Sequence, residues 1–286
     1  MVERLKIAIA KARERRAAGL GVAASAAEAG VMEPQRHRQG PNLDAIWHQL
    51  EELSLDPKAL EAERIVTRQK SDSAHIAFDM LRTRLAKLAL EQGWRRIGIT
   101  SPTKGCGKTV ISANLAFSFA RHPETRTLLV DMDLRSPRLS RCLGRTERRA
   151  ISWMLNGSTP PEEYLLRVGP RFALALNSQR VRDASEVIQN KQTGATLKSM
   201  IERFQPDITI YDLPPMLVGD DAIAFCRNLD AVLLVIAAGE TKPYEVEECE
   251  ALLSDETNFL GVLLNKVERG AGSDYYYGYG YGYGQE

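Results

Sequence analysis

The chain has 286 residues, of which 44% are hydrophobic and 26% charged, with 38 Lys and Arg against 37 Asp and Glu for a net charge of +1. That is a globular composition without the overall basic character of a nucleic-acid binder, so no nucleic-acid partner is expected. The longest apolar run, residues 231–238, is far short of a membrane span, and Cys106, Cys142, Cys226 and Cys249 lack metal-ligand spacing, which points to reduced thiols in a soluble cytoplasmic chain.

The N-terminus, MVERLKIAIAKARERR, is charged throughout and has no apolar signal-peptide core. Val2, Leu5, Ile9 and Ala12 recur at helical spacing among Arg4, Lys6, Lys11, Arg13, Arg15 and Arg16, which predicts a basic amphipathic helix. Such a helix is solvated, or it lies on an anionic membrane or a partner. Residues 33–42 read as a linker. In NLDAIWHQLEELSL, Asn42 is placed to cap a short helix with Leu43, Ile46, Trp47 and Leu50 on one face.

From Arg64 onward the pattern alternates apolar strands with amphipathic helices. The predicted strands are RRIGITS (95–101), TLLVDMD (127–133), RFALALNS (171–178), DITIYDLPP (207–215), DAVLLVIAAG (230–239) and FLGVLLNKV (259–267). Most are continuous Val, Ile and Leu runs, as strands covered on both faces require. The expected fold is therefore α/β, a doubly wound and mostly parallel sheet, which GKT at residues 107–109, between a strand and a helix, makes one of P-loop NTPase type. The expected domains are an N-terminal helical extension and linker (1–63), a P-loop domain (64–267) and a disordered tyrosine-rich tail (268–286). In such sheets ligands bind beyond the carboxyl ends of the strands.

The first strand runs into TSPTKGCGKTV. Gly105 and Gly107 allow the backbone around Cys106 to close on phosphate oxygens, Lys108 can reach the β- and γ-phosphates, and the Thr109 hydroxyl can coordinate Mg²⁺. Amides of the following helix, including Val110, complete the nucleotide site. Pro102 stands where the P-loop pattern has its first glycine. Cys106 is read as a small filler facing solvent in preference to a redox centre, although helix-terminus amides would favour its thiolate. Asp131 and Asp133 end the second strand, and Asp212 ends the fourth before Pro214 and Pro215. Those carboxylates could hold a metal. Asn265, at the end of the last strand, could read an adenine edge or form a turn.

Four motifs together resemble the bacterial protein-tyrosine kinases of capsular and exopolysaccharide synthesis, the BY-kinases. That family is similar in carrying TSxxPGEGKS, an apolar run ending DxDxR, a strand ending DxPP, and a C-terminal tyrosine cluster. Here these are TSPTKGCGKT, LLVDMDLR, ITIYDLPP and SDYYYGYGYGYG, and IAFDMLRTRL (76–85) resembles the family's EAFRxLRTNL. The resemblance covers about residues 64 to 286. It implies that Lys108 and Thr109 bind ATP phosphates and Mg²⁺, that Asp131 and Asp133 hold the metal or accept the tyrosine proton, and that Asp212 completes the metal site. Which aspartate is the base is left open. Tyr275, Tyr276, Tyr277, Tyr279, Tyr281 and Tyr283 would be the phospho-acceptors, reached by self-association in trans. The resemblance also implies an activating transmembrane polysaccharide co-polymerase, a tyrosine phosphatase, and recruitment to the inner face of the plasma membrane.

Three departures stand out. Lys104 replaces the family's proline and Cys106 its glutamate. The family's ExxRxxR oligomerisation motif maps to Ile76, Asp79 and Arg82, so only its last arginine remains. Two rival functions are a MinD/ParA-like ATPase acting as a nucleotide-dependent dimerisation switch, and an inactive scaffold. The lysine that marks MinD/ParA loops lies five residues before the P-loop lysine, whereas Lys104 lies four before Lys108.

Overall fold

The computed structural model describes residues 42–68, 72–146 and 148–267. The basic N-terminal helix and the tyrosine-rich tail predicted from sequence lie outside the described residues. In chain order the elements are α1 (Leu43–His48), β1 (Glu51–Glu52), α2 (Pro57–Ala62), α3 (His75–Gln92), β2 (Arg96–Thr100), α4 (Lys108–Ala120) and β3 (Thr127–Asp131). Three one-turn helices follow, α5 (Leu139–Cys142), α6 (Ser152–Leu155) and α7 (Pro161–Tyr164). The remainder comprises β4 (Leu166–Arg167), β5 (Phe172–Ala175), α8 (Ala184–Gln189), α9 (Lys191–Phe204), β6 (Ile208–Asp212), α10 (Asp221–Cys226), β7 (Ala231–Ala237), α11 (Pro243–Glu256) and β8 (Asn258–Asn265).

These strands form one sheet in the order β1-β4-β5-β3-β6-β2-β7-β8, and every neighbouring pair is parallel except β4 with β5. Each of the six expected strands is present. Successive residues of a strand feed opposite cores, as the two-residue pleat demands. Val232, Leu234 and Ile236 enter one core with α9, α10 and α11, while Val235 and Ala237 enter the other with α4. The sheet is thus covered on both faces, as the uninterrupted apolar runs require.

Helix α4 is buried along almost its whole length, from Lys108 to Phe119. A helix enclosed on all sides must satisfy its polar side chains internally. Asn114 does so by accepting from the amides of Val66 and Thr67 at 2.9 and 3.1 Å and donating to the Arg64 carbonyl at 2.9 Å. The segment leading to α3 is thereby pinned to α4.

Residues 43–62, assigned from sequence to the extension, wrap the sheet edge. Asn42 caps α1 by accepting from Ala45 N, and Trp47 and Leu50 enter the core beside α9. β1 pairs with β4, and Leu53, Leu55 and Leu60 then enter the opposite core beside α4. The Trp47 ring meets Phe204 edge-on at 6.2 Å, and its indole N–H donates to the Phe204 carbonyl at 2.8 Å. That carbonyl ends α9 and has no helical donor. Trp47→Phe is expected to keep most of the packing while orphaning it, at about 1–2 kcal/mol of stability, read by urea denaturation.

On α3, two of the three positions that match the family's oligomerisation motif, Asp79 and Arg82, are turned toward α4, while Ile76 is exposed. Asp79 accepts from Ser118 Oγ at 2.6 Å and from the Arg121 guanidinium, and Arg82 donates to the Ser118 carbonyl at 3.1 Å. Burial works against the Asp79 carboxylate, but Ser118, Arg121 and Arg82 outweigh it and hold its pKa below the ordinary aspartate value. No helix among the described residues is long and apolar enough to cross a membrane.

Candidate functional site

The sheet order sets β3, β6 and β2 side by side, so their carboxyl ends deliver three loops to one place. After β2 the chain turns through 101–107 into α4. Gly105 and Gly107 take φ of +90° and +93°, a left-handed conformation that side chains rarely adopt. Pro102 needs no amide donor here, because only its carbonyl is used, accepting from Leu217 N at 3.0 Å. Met216 N donates to the Ser101 carbonyl at 2.8 Å and Thr100 Oγ1 to the Pro214 carbonyl at 2.6 Å. The two loops therefore run on together beyond the ends of β2 and β6.

Asp131 and Asp212 are directly paired across β3 and β6. In a parallel ladder paired residues share a face about 5 Å apart, so two carboxylates stand abreast. Both are fully buried, and among the described residues Asp131 Oδ2 and Asp212 Oδ2 have no hydrogen-bond partner. Asp133 lies just past the strand, its backbone amide donating to Asp131 Oδ1 at 3.1 Å. Lys108 Nζ faces all of them, 2.8 Å from Asp133 Oδ2 and 3.8 Å from Asp212 Oδ1. Burial opposes its charge, but Asp212 and Asp133 more than offset that, and its pKa stands above the usual lysine value. Asp131 is pushed well up, by burial first and then by Asp212 beside it; Asp212 is raised by burial. One ammonium thus serves three carboxylates, and the site has an unmet demand for positive charge.

A small divalent cation would meet that demand. Two carboxylate oxygens and the Thr109 hydroxyl form a hard, all-oxygen donor set that suits Mg²⁺, which keeps several ligands from water and phosphate. The protein alone supplies too few ligands for a closed cage: among the described residues no group of three or more His, Cys, Asp or Glu is arranged to hold a metal. Lys108, Thr109, Asp131, Asp133 and Asp212 are therefore brought together. Ser112, one turn into α4 and 3.1 Å from Asp212 Oδ1, joins them. Sequence reasoning does not single it out, although its spacing of four from Lys108 puts both on one helix face.

One loop residue differs from its expected setting. Cys106 does not face solvent. It is 2% exposed, packs into the core beside α4, and its Sγ lies 3.4 Å from the Thr103 carbonyl. Val110 packs against the same core. Asn265 donates its amide to the Cys106 carbonyl at 2.9 Å and lies against Gly107, where an added Cβ would sit 2.2 Å from its Nδ2. It is a clamp on the phosphate loop rather than a turn. Asn265→Ala is expected to weaken nucleotide binding about tenfold, as loss of one hydrogen bond that holds the loop implies, read by titration with a fluorescent nucleotide.

Comparisons with known proteins agree with this geometry. Residues 97–277 match the family described as the CobQ/CobB/MinD/ParA nucleotide binding domain. The chain is 30% identical over 175 residues to the tyrosine-protein kinase CpsD of Streptococcus pneumoniae serotype 4, spanning 60% of this chain and 76% of that one. It is 25% identical over 222 residues to the tyrosine-protein kinase YwqD of Bacillus subtilis, spanning 77% and 87%. Its fold is similar to the kinase domain of the Escherichia coli tyrosine kinase ETK, with a TM-score of 0.66 and 28% identity over 75% of this chain and 84% of that one.

Proposed function

Because the chain belongs to the bacterial tyrosine-protein kinases built on the CobQ/CobB/MinD/ParA nucleotide binding domain, we propose that it transfers the γ-phosphoryl group of ATP to tyrosines of its own C-terminal cluster, in trans. The observation that carries this is Lys108 held among Asp131, Asp133 and Asp212 where three strands end beside a glycine-rich loop. In-line phosphoryl transfer asks little of a protein beyond positioning and charge neutralisation, and this site supplies both.

The phosphate loop offers backbone amides, directed by Gly105 and Gly107 and held by Asn265. Lys108 exchanges Asp133 for phosphate oxygens, which releases the Asp133 carboxylate to face the acceptor. Asp131, Asp212 and Thr109 would hold Mg²⁺, which when bound neutralises phosphate charge. We assign the tyrosine proton to Asp133, which lines the outer groove, whereas Asp131 and Asp212 lie fully buried at the strand ends. The tail supplies six tyrosines among residues 275–283. Its nineteen residues, 268 to 286, span on the order of 60 Å when extended, enough to reach a neighbouring copy.

By kinship this kinase serves capsule or exopolysaccharide synthesis, activated by a transmembrane co-polymerase at the inner face of the plasma membrane and reset by a tyrosine phosphatase. Incubation with labelled ATP and Mg²⁺, followed by mass spectrometry, tests the assignment: label is expected on Tyr275 to Tyr283. Phosphate release with an unlabelled tail would instead establish a MinD/ParA-like switch, and binding without turnover a scaffold.

A further inference from the structure

The loop after β3, the loop after β6 and the phosphate loop enclose a groove lined by Lys104, Asp133, Arg135, Pro214, Pro215 and Val218. It meets the inner chamber at Asp133, which pairs with Lys108, while Asp131 and Asp212 are sealed behind it. One side is apolar: Pro214 and Pro215 are buried beneath it, held by the Thr100 hydroxyl bond to the Pro214 carbonyl, and Val218 beside them is 51% exposed. Such a wall suits the flat face of an aromatic ring. The two cations are not equivalent. The Arg135 guanidinium is engaged by Asp221, with Oδ1 at 3.0 Å, and by Ser185 Oγ at 3.1 Å. Lys104 is exposed at the rim and forms no ion pair among the described residues.

A groove with the Asp133 carboxylate inside, an exposed apolar side chain, Val218, on one side and an unengaged ammonium at the mouth fits a tyrosine with negative charge beside it. We propose that Lys104 is a specificity-determining residue that selects acceptor tyrosines next to an acidic or already phosphorylated residue. This rests on the kinase reading above. The occupant is the segment SDYYYGYGYGYG of a second copy. Its first tyrosine, Tyr275, follows Asp274, and every later tyrosine follows another by one or two positions.

In each cycle the bond from the γ-phosphorus to the β,γ-bridging oxygen breaks, a bond from the tyrosine Oη to that phosphorus forms, the phenolic proton passes to Asp133, and ADP leaves. The product carries roughly −1.5 to −2 charges. It then becomes the anion that Lys104 holds while the adjacent ring enters the groove. Modification therefore starts at Tyr275 and spreads toward Tyr283, each phosphate improving the next acceptor.

The test uses the full chain and synthetic peptides with a single acceptor tyrosine preceded by Asp, Asn or phosphotyrosine. Expected kcat/KM for the Asp peptide is about threefold to fivefold that of the Asn peptide, the range of an exposed ion pair, and higher again for phosphotyrosine. The advantage should shrink at high salt, fall toward parity in Lys104→Ala, return in Lys104→Arg, and reverse in Lys104→Glu. Peptide anisotropy with ADP and Mg²⁺ should give the same ranking without turnover. An unchanged ratio in Lys104→Ala overturns the proposal. A raised KM for ATP with the peptide ratio intact also overturns it, assigning Lys104 to the nucleotide. Transfer to tail tyrosines with no preference among peptides removes the subsite and leaves the kinase standing. No transfer to any tyrosine removes both.

Discussion

Lys108→Met is expected to lower transfer to tyrosine by at least a factor of about 100, the loss that follows removal of one preorganised charge from a transition state. Lys108 is the one cation within ion-pair distance of Asp133 and Asp212 among the described residues, at 2.8 and 3.8 Å, and it is 8% exposed. Nothing else among the described residues within that chamber can neutralise the transferring phosphoryl group. Breaking a buried ion pair by deleting one partner also costs on the order of 3–5 kcal/mol. The variant must therefore be shown to fold by circular dichroism before its activity is read. Lys108→Arg separates the two effects, since it keeps the charge but not the shape of the cradle. It should melt near the unaltered protein and still transfer poorly. Transfer by Lys108→Met within about tenfold of the unaltered protein, far above the loss a missing charge produces, would show that the chemistry happens elsewhere.

Asp131→Asn is expected to act in opposite directions on stability and activity. Burial and the neighbouring Asp212 raise the Asp131 pKa above the ordinary aspartate value. A raised folded-state pKa means that the folded chain binds the proton more tightly than the unfolded one. The destabilisation is then fully present above the folded pKa, and it is relieved as pH falls through that value toward about 3.9. The nucleotide-free protein should therefore gain stability on mild acidification from neutral pH, with Asp212 contributing in the same sense. The amide introduced by Asp131→Asn carries no charge to bury, so the variant should be more stable at neutral pH by on the order of 2 kcal/mol, roughly 5 °C in Tm for a domain of this size. Its stability should also depend less on pH. Transfer should fall about a hundredfold or more, because the strand end has lost a charged ligand. A variant that melts lower than the unaltered protein at neutral pH would show that Asp131 is already compensated.

The strands and the phosphate loop are readable from sequence because their signals are local. A continuous run such as AVLLVIA needs cover on both faces, and GKT between a strand and a helix has one common use. β1 and β4 leave no trace, since two residues make no period, and β1 exists only because α1 and α2 dock on either side of it. The boundary near residue 63 reflects composition, whereas the packing of Trp47 and Leu60 is decided by partners far along the chain, as the Trp47 bond to Phe204, 157 positions away, shows. The aspartates stand out because they follow strands. Ser112 does not, because a serine inside an apolar helix looks like any small residue until Asp212 is placed against it. Asn265 is notable at the end of its strand, but its partner, the Cys106 carbonyl, is a backbone atom 159 positions away that no motif marks. Cys106 has the look of a surface residue in a loop; it is buried because the loop closes over the core that α4 begins.

Helix α4 carries a consequence for how this enzyme fails. The lysine and threonine of the site are its first two residues, and the rest of the helix is sealed in the core with Asn114 and Ser118 bonded to their surroundings. The site cannot loosen by degrees, since moving Lys108 means moving a shaft that crosses the interior. Core substitutions and heat should then behave as a switch on the count of working molecules: titration of competent sites falls with the folded fraction, while KM for nucleotide in the survivors stays constant to the end of the melt. Wear in this molecule shows as fewer catalysts, each as good as new.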